Sequence, residues 1–364
     1  MDNKKLWTLY RSAFKHIPLS LDEITDISTL YNDIGRDKVF SCATRKKILP
    51  AISALMVKLE IEESYWKPYT LQFRERNLRI LDCLSYVYSS LYSAGVNKMV
   101  VVENFGALLS SEEDLAMFGS GDVDNYADIN QKELIYKVLR NLGFSITEIK
   151  AGDILISSAF KKEGFLPENI YFGINWDITC RTNLPCLTSK EEFIDWNNLI
   201  YYKDTAIRMP PLEALMYICM MHIAVHGFSR APDIRLYYDI ANIERSSLNW
   251  FKIKDWAIRD ENSTRIATVG FLSKQLLGVT VPGYILSMGN NAQKRHLINL
   301  VFDQTNNRLI DFPNKLTTLG IDVFSNDNGS LQGFKDVVTP NKIWLNQRYG
   351  NSKKAFYRHI INLI

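Results

Sequence analysis

The chain has 364 residues, of which 46% are hydrophobic and 23% are charged. This composition is close to the globular average, and it excludes a disordered, collagen-like or coiled-coil protein. The formal net charge is only +3, so the overall charge predicts no nucleic-acid partner.

The N-terminal segment gives no sign of export. It has no uninterrupted apolar stretch and no small-residue cleavage site, both of which a secretion signal needs. The longest apolar run, residues 215–225, is well short of the ~20 residues of a membrane-spanning helix. The five cysteines form no Cys-x-x-Cys pair, which favours a reducing compartment. We therefore expect a cytoplasmic protein with no membrane partner.

Residues 1–95 are predicted to form a helical N-terminal region. Apolar residues recur at helical spacing over 21–34, and Ser20 with Glu23 forms a capping-box pattern at the start of that segment. The same periodicity predicts helices at 48–59 and 71–92. The simplest interpretation of this region is a scaffold without chemistry of its own.

Residues 96–182 are predicted to form a small α/β core. A β-branched run and several alternating segments predict strands, and a short strand is expected after the Gly-rich turn that precedes residue 122. The predicted strands are 98–102, 144–149, 153–160 and 169–179, and the predicted helices are 107–115 and 131–142.

Residues 183–330 are predicted to be helical again, and 331–364 to form a less periodic C-terminal tail. Two prolines open the first of these helices, as suits the first helical turn. The predicted helices are 212–225, 234–243, 250–258 and 264–277. The expected fold class is therefore α+β, with a small mixed sheet between two helical regions.

The segment with most chemical information is Gly-Asp-Val-Asp, residues 121–124. Asp122 and Asp124 are two residues apart, so on a strand their side chains project from the same face. Adjacent carboxylates repel each other unless a cation lies between them, and Mg²⁺ prefers such ligands. The alternative is a solvated turn, since Gly, Ser, Asp and Asn are all turn formers.

Asp177 is a second candidate, because it lies on the polar face of the otherwise apolar strand 169–179. A carboxylate within such a strand is costly unless it is paired, bound to a cation or directed into a cleft. The alternatives are exposure to water at a sheet edge or an ion pair with Arg181. Together with Asp122 and Asp124, it predicts three carboxylates around one site.

Residues 96–245 resemble the polymerase-β-type nucleotidyltransferase superfamily, and within it the bacterial branch called the uncharacterised nucleotidyltransferases. Five elements occur in the order typical of that branch. They are VVVENFGALL, GDVD, NLGFSI, NWDITCR and the His-containing helix PPLEALMYICMMHIAVHGFSR, which is followed by LYYDIANI. The resemblance implies the small mixed sheet of a nucleotidyltransferase, with the helical region 183–330 binding the substrate.

The resemblance also implies an activity and a set of roles. The activity is Mg²⁺-dependent transfer of a nucleotidyl group from an NTP to a hydroxyl of a small molecule or a peptide, with two ions at the site. The implied metal ligands and catalytic residues are Asp122, Asp124 and Asp177. The implied nucleotide-binding residues are Gly106, Ser120, Gly121 and Arg181, and the implied acceptor-binding residues are His222, His226, Arg230 and Asp239.

The chain also departs from the family. Phe105 stands where the family often has Lys, which removes one expected phosphate contact, and the Arg that usually precedes Gly-Asp is absent. Two alternatives therefore stay open: sugar transfer from a nucleotide-sugar at the same metal site, and a non-catalytic nucleotide-binding protein. For His222 and His226, the alternative is a hydrogen-bonded structural role near a buried helix end.

Overall fold

The computed structural model describes most of the chain and has a mixed α+β architecture. The elements of the core follow one another in the order that the sequence predicts, as strands and helices between two helical regions. The described residues are 3–14, 19–110, 114–119, 122–151, 154–166, 171–176, 194, 198–225, 228, 234–244, 247–298, 315–340, 345 and 354–358.

The N-terminal region is helical, as predicted. The segment 21–34 forms a helix with the predicted bounds, and Ser20 and Glu23 form both hydrogen bonds of the capping box. Helices α1 to α5 cover Asn3–Ala13, Leu21–Ile34, Arg36–Arg45, Leu49–Lys58 and Glu63–Ser93. The last of these continues through the predicted helix 71–92 and ends immediately before the strands of the sheet.

The central sheet has five strands in the order β1-β2-β5-β4-β3. Strands β2 and β5 run parallel, and the other neighbouring pairs are antiparallel. The strands are Met99–Val101, Val123–Ala127, Ser145–Ala151, Ile154–Lys161 and Phe172–Asn175, numbered β1 to β5. Each overlaps a strand predicted from the sequence, and β5 covers the centre of the predicted 169–179, parts of which lie outside the described residues.

Helix α6 differs from the prediction. It covers Glu103–Ser110 instead of 107–115, and a short 3₁₀ turn forms at Leu115–Met117. It therefore begins two residues after β1, with no Gly-containing turn between strand and helix. Helix α7, at Lys132–Asn141, matches the predicted helix that ends before Gly143.

A hairpin interrupts the region that the sequence predicts to be helical from 183 onward. Strands β6 (Leu199–Tyr202) and β7 (Thr205–Arg208) pair antiparallel around a tight turn, in which Lys203 has a φ of 52°. Aromatic and β-branched residues on both sides of a two-residue turn are a hairpin signal. The sequence on the C-terminal side of the hairpin has helical periodicity, so the two short strands were not predicted.

The described C-terminal part returns to helices. Helices α8 to α12 cover Leu212–Val225, Ile234–Glu244, Trp250–Arg259, Ser263–Leu277 and Gly283–Leu286. Further helical segments are 291–298, Lys315–Phe324 and Ser330–Val338, and the last of these lies mostly within the predicted tail. In the part of the chain that the structure describes, no helix is both long and apolar enough to cross a membrane.

The two faces of the sheet have different neighbours, and this difference positions the site. On one face, Tyr88 of α5 donates a hydrogen bond to Asn125, and Tyr136 of α7 is hydrogen-bonded to Ser158. Because side chains alternate along a strand, Asp124 projects from the opposite face of β2. Asp124 therefore projects from the face of the sheet opposite to α5 and α7.

Candidate functional site

A cavity of about 240 Å³ lies where β2 meets helices α6, α8 and α9. It is rich in ionisable side chains, with four carboxylates, one guanidinium and one imidazole. The lining residues are Glu103, Asn104, Asp122, Asp124, Cys219, His222, Arg235, Leu236 and Asp239. The sheet and the helical region therefore both contribute to one polar cavity.

Strand β2 directs Asp122 and Asp124 into this cavity. Asp124 is paired in register with Gly173 of the parallel strand β5. A Cβ atom on Gly173 would lie 3.3 Å from Oδ1 of Asp124, so the absent side chain leaves room for the carboxylate. Asp122 lies just before the strand, and its Oδ1 accepts a hydrogen bond of 3.3 Å from the backbone N–H of Tyr171. Both carboxylates are thus held beside the start of β5.

The junction between β1 and α6 supplies the next two lining residues. Glu103 has a φ of 55°, a left-handed conformation that costs a non-glycine residue about 1 kcal/mol or more. Its side chain is nearly buried, and Oε2 lies 2.8 Å from Nδ1 of His222. The next residue, Asn104, donates a hydrogen bond of 3.0 Å to Oδ1 of Asp239. Two consecutive residues therefore connect the sheet to α8 and α9.

Helix α9 places Arg235 and Asp239 four residues apart, on the same face of the helix. Arg235 lines the cavity, and its Nη1 donates a hydrogen bond of 3.5 Å to the carbonyl oxygen of Gly119. Asp239 is only 2% exposed. Burial raises the pKa of this carboxyl to about 6, although Arg235 and the Asn104 hydrogen bond partly offset the effect. Asp239 is therefore an unusually weak acid for a carboxyl group.

The raised pKa of Asp239 predicts a pH-dependent stability. The folded state binds this proton more tightly than the unfolded state does, because the pKa is about 6 instead of 3.8. The free energy of unfolding should therefore decrease by about 3 kcal/mol as the pH rises through this interval. This pH-dependent decrease should be absent in Asp239→Asn, which keeps an oxygen acceptor for the Asn104 hydrogen bond.

Urea denaturation between about pH 4 and 7 tests this expectation. Asp322, whose pKa burial also raises to about 6, is present in both proteins, so the difference between the two pH curves isolates Asp239. If the free energies of unfolding of the two proteins change in parallel with pH, Asp239 does not have the raised pKa.

The donor set of the cavity fits Mg²⁺. Asp122 and Asp124 provide hard carboxylate oxygens, and Mg²⁺ usually combines one or two such ligands with water and substrate phosphate. On the same face of β5 as Gly173, the Asn175 side chain is 1% exposed, and neither of its amide atoms has a hydrogen-bond partner among the described residues. Over the described ranges, no three His, Cys, Asp or Glu side chains are arranged to hold a metal ion by themselves. The fit is to an ion that also binds substrate.

Four of the predicted site residues lie together in the cavity: Asp122, Asp124, His222 and Asp239. Gly106 does not lie with them. It is the fourth residue of α6, and its backbone N–H donates a hydrogen bond to the carbonyl oxygen of Val102. A Cβ atom at this position would lie 2.8 Å from the Leu215 side chain. Its small size therefore permits close packing against α8, and its role in nucleotide binding stays a prediction. The predicted residues Ser120, Gly121, Asp177, Arg181, His226 and Arg230 are outside the described residues.

Three charged or polar lining residues were not among the predicted site residues: Glu103, Asn104 and Arg235. The sequence signal for Glu103 and Asn104 is their position directly after a fully apolar strand. Polar side chains at such a position indicate a functional site. The resemblance directed attention to Phe105 instead. Phe105 is fully buried and does not line the cavity, so its side chain belongs to the core.

Comparison of the chain with protein-family models and with curated proteins found no match.

Proposed function

We propose that the chain is a Mg²⁺-dependent nucleotidyltransferase that moves a nucleotidyl group from an NTP to a hydroxyl of a small molecule or a peptide. The observation that carries the proposal is that Asp122, immediately before β2, and Asp124, within β2, line one cavity. His222 and Asp239, two of the four residues that the resemblance assigns to the acceptor, line the same cavity.

The charges of the cavity support a cation-dependent function. Four carboxylates face one guanidinium and one imidazole, so the cavity by itself repels a triphosphate. A bound Mg²⁺ would offset this charge and neutralise the negative charge that develops on the phosphates. Asp122 and Asp124 would hold it, and Asp177 is expected to join them. We therefore expect the NTP to enter only together with the ion.

One observation favours a second candidate, a non-catalytic binding protein. Glu103 adds a negative charge at the β1–α6 junction, close to where the resemblance places a phosphate-binding lysine. If that charge excludes a triphosphate even with Mg²⁺ present, the cavity would instead bind a less charged ligand.

Calorimetry separates these candidates. Each NTP and a UDP-sugar are titrated into the full chain with and without Mg²⁺, and pyrophosphate release is then measured for the nucleotide that binds. Binding that requires Mg²⁺ and leads to pyrophosphate release supports the transferase. Binding of the UDP-sugar without pyrophosphate release supports sugar transfer. Binding that is indifferent to Mg²⁺, or none at all, contradicts the proposal.

Gly173→Ala tests the metal site without removing a carboxylate. The new methyl group would lie 3.3 Å from Oδ1 of Asp124, so the carboxylate must move by a few tenths of an ångström. Because small displacements at a reacting centre are costly, we expect Mg²⁺-dependent NTP affinity to fall roughly tenfold. Calorimetry measures the loss. Unchanged affinity would show that the position of Asp124 does not matter for binding.

A further inference from the structure

The β1–α6 junction carries a carboxylate–imidazole pair that the expected metal chemistry does not use. Glu103 and His222 are 2.8 Å apart, with side-chain exposures of 12% and 23%. Both line the cavity that also contains Asp122 and Asp124. The pair therefore faces the region in which the transfer would occur.

The contact determines which ring nitrogen of His222 is protonated. An ionised carboxylate only accepts hydrogen bonds, so Nδ1 must carry the hydrogen that it donates to Oε2 of Glu103. In the neutral ring, the lone pair is then on Nε2. A carboxylate that orients an imidazole in this way is the recurring arrangement of a general base and its positioning residue.

The backbone of Glu103 supports the same conclusion. Glu103 keeps a positive φ of 55° at the first position of α6, and strained conformations of this kind cluster at functional sites. The neighbouring Asn104 is hydrogen-bonded to Asp239 of α9, so the junction is fixed from two helices. The strained backbone of Glu103 therefore occurs where contacts with two helices hold the side chains of Glu103 and Asn104 in place.

We propose that His222 is the proton acceptor for the hydroxyl that attacks the nucleotide, and that Glu103 is its positioning residue. This inference rests on the proposed nucleotidyl transfer. The hydroxyl oxygen forms a bond to the α-phosphorus while its proton passes to Nε2 of His222. The bond between the α-phosphorus and the bridging oxygen breaks, and pyrophosphate leaves with the electron pair.

Among the lining residues that the structure describes, Asp239 is a carboxylate with no assigned metal or positioning role, so it is a competing base. Its side chain is less accessible, since the residue is 2% exposed and Oδ1 is engaged by Asn104. The geometry therefore favours His222, and the Asp239→Asn variant provides a direct comparison within the same cavity.

The test uses the full chain, Mg²⁺, the NTP that binds, and water as the acceptor, with pyrophosphate release as the assay. His222→Ala is expected to lower kcat about 100-fold with little change in KM, and added imidazole should restore part of the rate. Glu103→Gln should lower kcat less, and Asp239→Asn should lower it least. Asp128→Asn, at the far end of β2, is the surface control.

A second measurement does not need turnover. In ¹⁵N spectra of the chain labelled at its five histidines, the His222 signal is identified by its loss in His222→Ala. We expect the Nδ1–H tautomer in the wild-type protein and a shift toward Nε2–H in Glu103→Gln.

The outcomes are distinguishable. A kcat of His222→Ala within about threefold of wild type, a loss that imidazole does not rescue, or an Nε2–H tautomer in the wild-type protein would overturn this inference while leaving the transferase intact. If the wild-type protein binds Mg²⁺ and NTP but releases no pyrophosphate, both the transferase and the role of His222 are overturned.

Discussion

Replacing Asp124 with Asn should abolish Mg²⁺-dependent NTP binding, with a loss of roughly 100-fold or more. Asparagine keeps the size of the side chain but removes the negative charge that an ion would need. Loss of even a residue that only supports a metal ligand costs about 10- to 100-fold in affinity, so loss of a ligand should cost at least as much. Calorimetry with Mg²⁺ and the NTP measures the change.

The stability of the Asp124→Asn variant provides the internal check. Because asparagine keeps the size of the side chain, the variant should remain folded, and its melting temperature is measured alongside binding. Asp128→Asn is the matched control, because Asp128 follows the same strand but pairs with Lys98 at the surface. Equal loss of binding in both variants, or unfolding of Asp124→Asn, would contradict the proposed role.

Introducing Lys at position 105, the residue common in the nucleotidyltransferases that the sequence resembles, should unfold the protein and not improve its binding of nucleotide. Phe105 is fully buried in the core. Loss of a buried Phe side chain costs about 3–5 kcal/mol, and an unpaired ammonium group in the same place adds a further penalty. Since most domains have only about 5–15 kcal/mol of stability, Phe105→Lys should lose most or all of its folded population. Circular dichroism with urea denaturation measures this.

Phe105→Leu is the matched variant for that prediction. It keeps the position apolar and should cost about 1–2 kcal/mol, mainly through the smaller volume. If Phe105→Lys instead folds with wild-type stability and binds NTP more tightly, position 105 faces the nucleotide and our account of the β1–α6 junction is wrong.

The parts of the fold that follow local rules were predictable from the sequence. The helix at 21–34 was predicted with its bounds because its capping box is a local pattern. Strands of the central sheet were also predicted from local signals: a β-branched run for β1, a Gly-rich turn before β2 and alternation for β5. Asp122 and Asp124 were expected together on one strand; they line one cavity, with Asp124 in β2 and Asp122 immediately before it.

Features that depend on distant contacts were not predictable in this way. Gly106, which the resemblance assigns to nucleotide binding, lies in α6 and packs closely against Leu215, more than a hundred residues away in the chain. The pairing of Glu103 with His222 likewise needs the tertiary approach of α6 and α8. No spacing rule in a single sequence relates such residues, so the carboxylate–imidazole pair appears only in the structure.

The most direct test of the account is a crystal structure of the protein with Mn²⁺ and a non-hydrolysable NTP analogue, with the ion located by its anomalous scattering. We expect an ion within about 2.2 Å of carboxylate oxygens of both Asp122 and Asp124, bridged to the phosphates and also bound by Asp177. An ion that touches neither Asp122 nor Asp124, or a nucleotide that binds outside this cavity, would contradict the proposal.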